Sequence, residues 1–211
     1  MRDLIILGTG VHGAEMAEIA ERASNAGAPW RLRGFVAPER HADMVGTTIN
    51  GYPVLGTRSA LERYSGCCVV PDNEYGQPVD LPRERIATLV DPSAFVSRAA
   101  NIGAGCVIYP HCYVGLRASL ADFVFMLAGA VINHDDVLED RVVVCSGVTL
   151  AGGVHVEAGC YLGQACTVRQ NLRIGRASLV GMGAVVTKDV DPGTVVAGNP
   201  ARKLRDKEGQ E

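Results

Sequence analysis

The sequence lacks an excess of charge of either sign. Its 211 residues include 20 Lys and Arg against 23 Asp and Glu, which gives a formal net charge of -3, and the sequence pI is about 6.0. Nucleic acids and anionic membrane surfaces attract strongly basic proteins, because their phosphates are negatively charged. We therefore expect neither nucleic acid nor a membrane as a partner.

Long apolar runs are also missing. The first apolar run, Leu4 to Leu7, is far shorter than the roughly 20 residues that a membrane-spanning helix needs. Asp3 and Gly8, which flank this run, make a poor signal peptide. These features predict a cytoplasmic protein.

A repeat of six residues runs from Val96 to Val186. Every sixth residue in this range is Leu, Ile, Val or Met, and four residues after each comes a second set of mostly small residues. This period matches neither the helical repeat nor the two-residue alternation of a lone strand, but it matches a parallel β-helix whose coils each contain three short strands. The register is unbroken, so the sequence predicts five coils of eighteen residues without an inserted loop. The spacing leaves the direction of winding open.

The seven cysteines do not suggest a disulfide framework. Cys106, Cys112, Cys160 and Cys166 all hold the small inward position of the repeat. Cys106 and Cys160 lie three coils apart, as do Cys112 and Cys166, and at the strand spacing this is roughly 14 Å, beyond disulfide reach. We expect the cysteines to be small core residues.

Residues 1–90 lack the repeat and show an alternating β/α pattern. The sequence predicts a strand at Leu4 to Leu7, a helix from the following glycine run to about Ala26, a strand near Arg33 to Val36, a helix near Ser59 to Tyr64 and a strand near Cys67 to Val70. This order is typical of a small parallel sheet of Rossmann-like design. We therefore expect an α/β, Rossmann-like domain over residues 1–90 and an all-β, parallel β-helix domain over residues 91–211.

The first strand is followed by the glycine run Gly8-Thr9-Gly10-Val11-His12-Gly13. Glycines let backbone N–H groups approach a phosphate, and the start of a helix adds a favourable potential. An NAD-dependent enzyme would need an acidic residue at the end of the second strand, where this chain has Ala37-Pro38. The run therefore favours the phosphates of a nucleotide-linked substrate over NAD, with a tight turn that binds no ligand as the alternative.

His134 is the candidate general base. It lies two residues after the inward Ile132, which places it at an outward corner of the β-helix, and Gly152 follows eighteen residues later on the same corner. An imidazole accepts a proton near neutral pH, and a glycine lets a backbone N–H approach a developing oxyanion. An exposed surface histidine with no catalytic role is the plain alternative.

Several motifs together carry a family resemblance over almost the whole chain. They are Gly10-Val11-His12-Gly13, Asn133-His134-Asp135, Ala151-Gly152-Gly153, the run from Val168 to Gly175, the run from Gly183 to Val190, and Ala197-Gly198-Asn199-Pro200-Ala201-Arg202. With them the sequence resembles the hexapeptide-repeat bacterial sugar acetyltransferases, typified by the UDP-4-amino-sugar N-acetyltransferases that make bacillosamine and by sialic acid O-acetyltransferases. The C-terminal motifs are the more specific ones.

The resemblance implies a left-handed β-helix, a homotrimer and no metal. Acetyl-CoA would lie along the groove between neighbouring helices, and the N-terminal domain would present a nucleotide-linked sugar. His134 would take a proton from the attacking amine or hydroxyl, while Asp135 would favour the charged imidazolium. The acceptor would then attack the thioester directly, without an acyl-enzyme.

The same resemblance assigns the binding residues. Gly152 would face the acetyl carbonyl, whereas Val143, Gln164 and the turn Gly181-Met182-Gly183 would line the path of acetyl-CoA. Gly10, Val11 and His12 would hold the sugar nucleotide.

The sequence departs from the family pattern at several positions. Relatives commonly have an acidic pair where this chain has Ala37-Pro38, a glycine where it has Pro71, and an asparagine where it has Leu127. These changes leave the nucleotide open. Asp136 occupies an inward position of the repeat, so we expect its carboxylate to turn toward His134 or a buried water, because an unpaired buried charge is costly.

Three functions are compatible with the sequence. The first is N-acetylation of an amino sugar, linked to a nucleotide and of the 4-amino-4,6-dideoxy type, and the second is O-acetylation of a sialic acid or a related sugar. The third is a zinc enzyme of the carbonic-anhydrase type or a β-helix that serves only as a scaffold. Zinc needs three converging histidines, whereas His111 lies on a different face of the coil from His134 and His155 is five residues into its hexad rather than two.

Overall fold

The computed structural model describes residues 1–75 and 80–207. The chain divides into two compact units, Met1–Pro92 and Ser93–Glu211. Within the described ranges, no helix has the length and apolar composition needed to cross a membrane.

The N-terminal unit is built on one five-stranded sheet. The strands of this sheet are β1 (Arg2–Leu7), β2 (Trp30–Val36), β3 (Thr48–Ile49), β4 (Tyr52–Gly56) and β5 (Cys68–Pro71). The unit also contains α1 (Val11–Asn25), the strand β6 (Leu89–Val90), which lies outside this sheet, and 3-10 helices at Glu39–Met44, Arg58–Glu62 and Arg83–Arg85. The sheet order is β3-β4-β2-β1-β5, and all neighbours are parallel except β3 and β4. Because β1 lies inside the sheet, Leu4 to Leu7 are almost fully buried.

The predicted strands and the first helix of this unit are confirmed. α1 buries Met16, Ile19, Ala20 and Ala23, the spacing of one helix face, and the chain leaves the helix through Gly27 at φ +98°. The predicted second helix is instead the 3-10 helix Arg58–Glu62. The wider expectation of a Rossmann-like domain stays a prediction.

The β3–β4 hairpin was not predicted from the sequence. Asn50 and Gly51 form its two-residue turn, with φ values of 49° and 80°. An Asn-Gly pair is the strongest short hairpin signal, because both central residues of such a turn need positive φ. The signal was therefore present in the sequence.

The C-terminal unit is a parallel β-solenoid with three faces. Face 1 comprises β7 (Phe95–Val96), β10 (Tyr113–Val114), β13 (Val131–Ile132), β16 (Thr149–Leu150), β19 (Thr167–Val168) and β22 (Val185–Val186). Face 2 comprises β8 (Asn101–Ile102), β11 (Ser119–Leu120), β14 (Val137–Leu138), β17 (His155–Val156) and β20 (Arg173–Ile174). Face 3 contains β9 (Val107–Ile108), β12 (Phe125–Met126), β15 (Val143–Val144), β18 (Tyr161–Leu162), β21 (Leu179–Val180), β23 (Thr194–Ala197) and β24 (Arg202–Asp206).

The eighteen-residue register predicted from the repeat is confirmed. Tyr113 pairs with Val131 and Thr149 pairs with Thr167, each eighteen residues further along. The inward aliphatic residues from Ile108 to Val186 are at most 2% exposed, so they form the solenoid core. The left-handed winding implied by the resemblance stays a prediction.

The turns between strands stack into three edges, here called edge 1, edge 2 and edge 3 after the face that each follows. From Ile102 to Val180, the third residue after each inward aliphatic residue has a positive φ, between 55° and 75°. Glycine holds this position in some turns, whereas Asp135, Arg117 and Ala165 hold it in others. The backbone of each turn is therefore fixed in a conformation that few residue types favour.

The repeat ends with a shorter coil. Leu179 pairs with Val195, sixteen residues later rather than eighteen. β24 then pairs with β23 in an antiparallel hairpin, which covers the last strand of face 3. A covered edge strand is protected from pairing with another chain.

All seven cysteines are buried and free, and four of them hold the small inward position of the repeat. Burial raises the pKa of Cys106 and Cys160 to about 11 and that of Cys166 to about 12. These thiols are therefore protonated at neutral pH and act as small core residues.

Candidate active site

His134 projects from edge 1 into solvent. It is the middle residue of the turn that follows β13, and its side chain is 63% exposed. The turn is held by the ladder between coils, because Asp135 N–H donates to the Leu116 carbonyl and Gly153 N–H donates to the His134 carbonyl. The predicted outward orientation of His134 is confirmed.

Asp135 holds one nitrogen of the His134 ring. The distance from His134 Nδ1 to Asp135 Oδ2 is 2.8 Å. Hydrogen bonds from Arg117 and then from His134 lower the pKa of Asp135 to about 2, so this carboxylate is ionised and can only accept. In the neutral imidazole the proton therefore lies on Nδ1, which leaves the lone pair on Nε2 free to act as a base.

Arg117 forms two hydrogen bonds with the Asp135 carboxylate. Arg117 Nε donates to Oδ1 at 2.6 Å and Nη2 donates to Oδ2 at 2.9 Å. Both residues occupy the positive-φ position of edge 1, one coil apart. The result is a chain of contacts from Arg117 through Asp135 to His134.

Gly152 lies against the His134 ring from the next coil. A Cβ added at Gly152 would be 2.4 Å from His134 Cε1 and 2.5 Å from Nε2, closer than a side chain allows. The Gly152 N–H makes no hydrogen bond within residues 1–75 and 80–207. A glycine here therefore makes room for the imidazole, and its N–H has no partner among the described residues.

Asp136 behaves differently from the expectation. Its side chain is fully buried, and its carboxylate accepts hydrogen bonds from the Asn133 N–H at 2.7 Å and the Val154 N–H at 2.8 Å. The carboxylate thus turns to the backbone rather than toward His134. Burial raises its pKa to about 6, although the two N–H groups oppose this shift.

The residues predicted to line the acetyl-CoA path lie elsewhere on the solenoid. Val143 is on face 3, and Gln164 with the turn Gly181 to Gly183 is on edge 3. Met182 is 75% exposed and Gln164 is also exposed. Within one chain these residues are therefore not brought together with His134 and Gly152, which share edge 1.

The predicted substrate residues of the N-terminal unit lie where β1 leads into α1. Gly10 is the N-cap of α1, and Val11, its first residue, is 73% exposed. His12 is half-buried, with Nδ1 3.4 Å from a Glu15 carboxylate oxygen. This is the carboxyl end of the sheet, where open α/β sheets bind ligands.

Two carboxylates stand beside this glycine run. An added Cβ at Gly8 would be 2.0 Å from Asp72 Oδ2, and one at Gly10 would be 3.3 Å from Glu74 Oε2. Asp72 is 6% exposed, and burial raises its pKa to about 6. Carboxylates accept hydrogen bonds, so this side of the loop suits hydroxyl or amino groups better than phosphates.

A cavity of about 430 Å³ opens at the same end of the sheet. Its lining includes Leu7 at the end of β1, Glu39 after β2, Arg58 after β4 and Tyr75 after β5. Tyr75 is 1% exposed, and its hydroxyl has no hydrogen-bond partner among the described residues. The volume is in the range typical of small-molecule sites, and an orphan hydroxyl can be satisfied by a ligand.

The described residues contain no cluster of potential metal ligands. In residues 1–75 and 80–207 no group of three or more His, Cys, Asp or Glu side chains could hold a metal ion. His155 is engaged with Glu139, 2.9 Å from Nε2 to Oε1, on face 2. His111, on edge 3, is likewise apart from His134.

Arg117 and the pair Asp72 and Glu74 were not predicted from the sequence. The signal for Arg117 was present, because it precedes Asp135 by eighteen residues, the length of one coil. The acidic pair had no comparable signal, since its approach to Gly8 and Gly10 depends on how β5 lies beside β1.

No family model matches this chain. Among solved structures, it is similar to the acetyltransferase domain of PglB from Neisseria gonorrhoeae, with 27% identity, 97% of this chain and 100% of that chain covered, and a TM-score of 0.81. That domain has also been solved with acetyl coenzyme A. This chain is also similar to perosamine N-acetyltransferase from Caulobacter crescentus in complex with CoA and GDP-perosamine. The identity is 25%, 98% of both chains is covered, and the TM-score is 0.84.

Curated relatives match a shorter segment. The acyl-[acyl-carrier-protein]--UDP-N-acetylglucosamine O-acyltransferase of Gloeothece citriformis is 38% identical over 77 residues, which is 36% of this chain and 28% of that protein. The corresponding protein of Pseudomonas paraeruginosa is 37% identical over 85 residues, 40% of this chain and 33% of that protein. The chain thus matches only about a third of the length of these relatives. Over nearly its whole length, however, the chain is similar in fold to the acetyltransferase domain of PglB and to perosamine N-acetyltransferase.

Proposed function

We propose that this protein is an acetyl-CoA-dependent N-acetyltransferase that acts on a nucleotide-linked amino sugar of the 4-amino-4,6-dideoxy type. The observation that carries the proposal is the arrangement at edge 1. There an exposed His134 has Nδ1 held by an ionised Asp135 and lies against Gly152. The resemblance to N-acetyltransferases solved with CoA and GDP-perosamine supports both the donor and the acceptor class.

His134 acts as the general base. As the sugar amine attacks the thioester carbonyl, its nitrogen forms a bond to the carbonyl carbon and loses a proton to Nε2 of His134. Collapse of the tetrahedral intermediate breaks the carbon–sulfur bond, and the imidazolium returns the proton to the CoA thiolate. Asp135 stabilises the imidazolium in between, because its carboxylate stays ionised.

The Gly152 N–H is the donor for the developing oxyanion. Gly152 lies against the His134 ring, and its N–H makes no hydrogen bond within the described residues, so an oxyanion can use this donor. Val143, Gln164 and the turn Gly181-Met182-Gly183 form the acetyl-CoA path on face 3 and edge 3. Because these elements are apart from edge 1 within one chain, the complete site needs edge 3 of a second chain, as a homotrimer provides.

The N-terminal unit holds the sugar nucleotide at the carboxyl end of its sheet. Gly10, Val11 and His12 border the site, and Asp72 and Glu74 accept hydrogen bonds from hydroxyl or amino groups of the ligand. The cavity lined by Leu7, Arg58 and Tyr75 takes the nucleoside. This arrangement accounts for the absence of an acidic pair at Ala37-Pro38, since carboxylates are present after β5 instead.

The test is a panel of nucleotide-linked amino sugars and their hydroxyl analogues with acetyl-CoA. The wild-type protein should acetylate an amine acceptor, and His134→Ala should lose turnover by about 100- to 10,000-fold while it still binds CoA. His155→Ala, which removes a histidine engaged with Glu139 on face 2, is the matched control and should keep its turnover. Full turnover by His134→Ala, or no acetylation of any amine, would refute the proposal.

O-acylation is the second candidate, and the curated relatives favour it. Their names describe acyl transfer from acyl carrier protein to UDP-N-acetylglucosamine. The structural neighbours cover almost the whole chain, whereas these relatives match 36–42% of it, so N-acetylation is the better supported reaction. Acylation of a sialic acid or UDP-sugar hydroxyl, but not of amines, would reverse this order.

A further inference from the structure

We propose that Arg117 is a positioning residue, which orients the general base by holding both oxygens of Asp135. This inference rests on the proposed function of His134, but it concerns a residue of the preceding coil. The backbone ladder fixes the turn that carries His134 and Asp135, while both side chains remain exposed. Something else must therefore hold their rotamers.

A single contact between two exposed side chains does not fix a rotamer well. Exposed ion pairs are weak, because water screens them and ordering two side chains costs entropy. The Asp135 side chain is 42% exposed and the His134 side chain 63%. Without a further partner, the carboxylate can rotate away from Nδ1.

Arg117 supplies that partner in a geometry that limits rotation. Its Nε and Nη2 bind different oxygens of the same carboxylate, at 2.6 and 2.9 Å. Such two-point pairing fixes the plane of the carboxylate as well as its position. Oδ2 of Asp135 then accepts hydrogen bonds from both Nη2 of Arg117 and Nδ1 of His134. The second of these hydrogen bonds selects the imidazole tautomer with the proton on Nδ1.

The chain offers closely matched variants for a test. Ala165 and Ala177 occupy the same positive-φ position in other turns, so alanine at residue 117 is compatible with the backbone. Arg141 occupies that position on edge 2 at φ 59°, with its guanidinium 5.0 Å from the Phe123 ring centre. Arg141→Ala is therefore a control for loss of a corner arginine that does not contact Asp135.

The experiment measures the tautomer of His134 in the full-length protein by nitrogen NMR of labelled histidines, well above the ordinary histidine pKa of about 6.5. His134→Ala assigns the signal among the five histidines. In the wild type and in Arg141→Ala the proton should lie on Nδ1. In Arg117→Ala a substantial fraction should move to Nε2, the nitrogen that must stay free.

Turnover is measured on the same variants. Arg117→Ala should lower kcat roughly 10- to 100-fold with an unchanged KM for acetyl-CoA, as is typical for loss of a group that orients an active residue. Arg117→Lys should recover part of kcat, because an ammonium pairs with the carboxylate at one point only. Arg141→Ala should keep the wild-type kcat.

The proposal is overturned if the His134 tautomer population of Arg117→Ala equals that of Arg141→Ala, or if the two variants have the same kcat. The NMR measurement needs no substrate. Failure of the protein to acetylate any amino sugar would therefore count against the proposed function, whereas an unchanged tautomer would count against the role of Arg117.

Discussion

At the scale of single residues, buried carboxylates are the unusual feature of this protein. Asp136 is fully buried and Asp72 nearly so, and burial raises the pKa of each to about 6. Each carboxylate also accepts backbone N–H groups, Asp136 from Asn133 and Val154, and Asp72 from Glu74. These backbone hydrogen bonds offset part of the free-energy cost of burying the two carboxylates.

The raised pKa of Asp136 predicts a specific pH dependence of stability. Between the ordinary pKa of about 4 and the folded value, the folded state binds more protons than the unfolded state, so stability falls as pH rises through this window. Asp136 should make the free energy of unfolding roughly 1 kcal/mol higher at about pH 5 than at about pH 7. Asp136→Asn should remove this part of the slope in urea titrations at the two pH values.

Asp140→Asn serves as the control, since Asp140 is exposed on edge 2. It should keep the wild-type slope. A slope in Asp136→Asn equal to that of the wild type would show that the buried carboxylate does not titrate as described.

At the scale of elements, the stacking of turns assembles the site. Arg117, Asp135 and Gly153 occupy the same turn position in three successive coils of edge 1, and Leu116, His134 and Gly152 occupy the position before it. Each turn is locked to the next by backbone hydrogen bonds. The side chains of neighbouring coils therefore meet in a fixed register.

This register predicts the effect of Gly152→Ala. Gly152 does not have a positive φ, so the backbone accepts alanine, but the new Cβ would lie 2.4 Å from the His134 ring. The exposed ring should swing aside, which should lower kcat about 10- to 100-fold, because small misplacements of reacting groups are costly. Stability should change by less than about 1 kcal/mol, since no packed core is disturbed.

The measurements are kcat, KM and thermal denaturation, with Gly66→Ala as the control. Gly66 has open space around its Cβ position and no positive φ, so its substitution should leave all three unchanged. A Gly152→Ala protein with wild-type kcat would contradict the contact between Gly152 and His134.

At the scale of the whole molecule, the proposed residues of one site are distributed over two edges of the solenoid. His134 and Gly152 lie on edge 1, whereas Gln164 and Met182 lie on edge 3. A trimer, in which edge 1 of one chain faces edge 3 of another, would unite them. The proposal therefore predicts a mass in solution of three 22.3 kDa chains.

A shared site also predicts complementation between inactive chains. His134→Ala removes the base, and Met182→Glu puts a negative charge on the proposed acetyl-CoA path without a packing cost, because Met182 is 75% exposed. In mixed trimers about a quarter of the sites would combine an intact edge 1 with an intact edge 3. Activity of co-expressed chains should rise toward that fraction of wild type, and activity no higher than in either parent would mean that each site belongs to one chain.

Much of the fold could be predicted from the sequence, because the signals were local. The six-residue period identified the inward residues, since the side-chain direction of a short strand and its turn repeats with the chain itself. The position of His134 followed from its offset to Ile132, and α1 followed from its apolar spacing and Gly27. The Asn50-Gly51 hairpin could have been found in the same way.

By itself, the sequence determined the period of the solenoid, its core and the exposure of His134, because these depend on residues that are near one another in the chain. Only the tertiary structure decided which groups meet across elements. Arg117 donates hydrogen bonds to Asp135, the Val154 N–H donates one to Asp136, and Asp72 lies against Gly8. These contacts join separate coils or strands. Side-chain rotamers and backbone approach between such elements are set by packing in three dimensions, which a linear pattern does not specify.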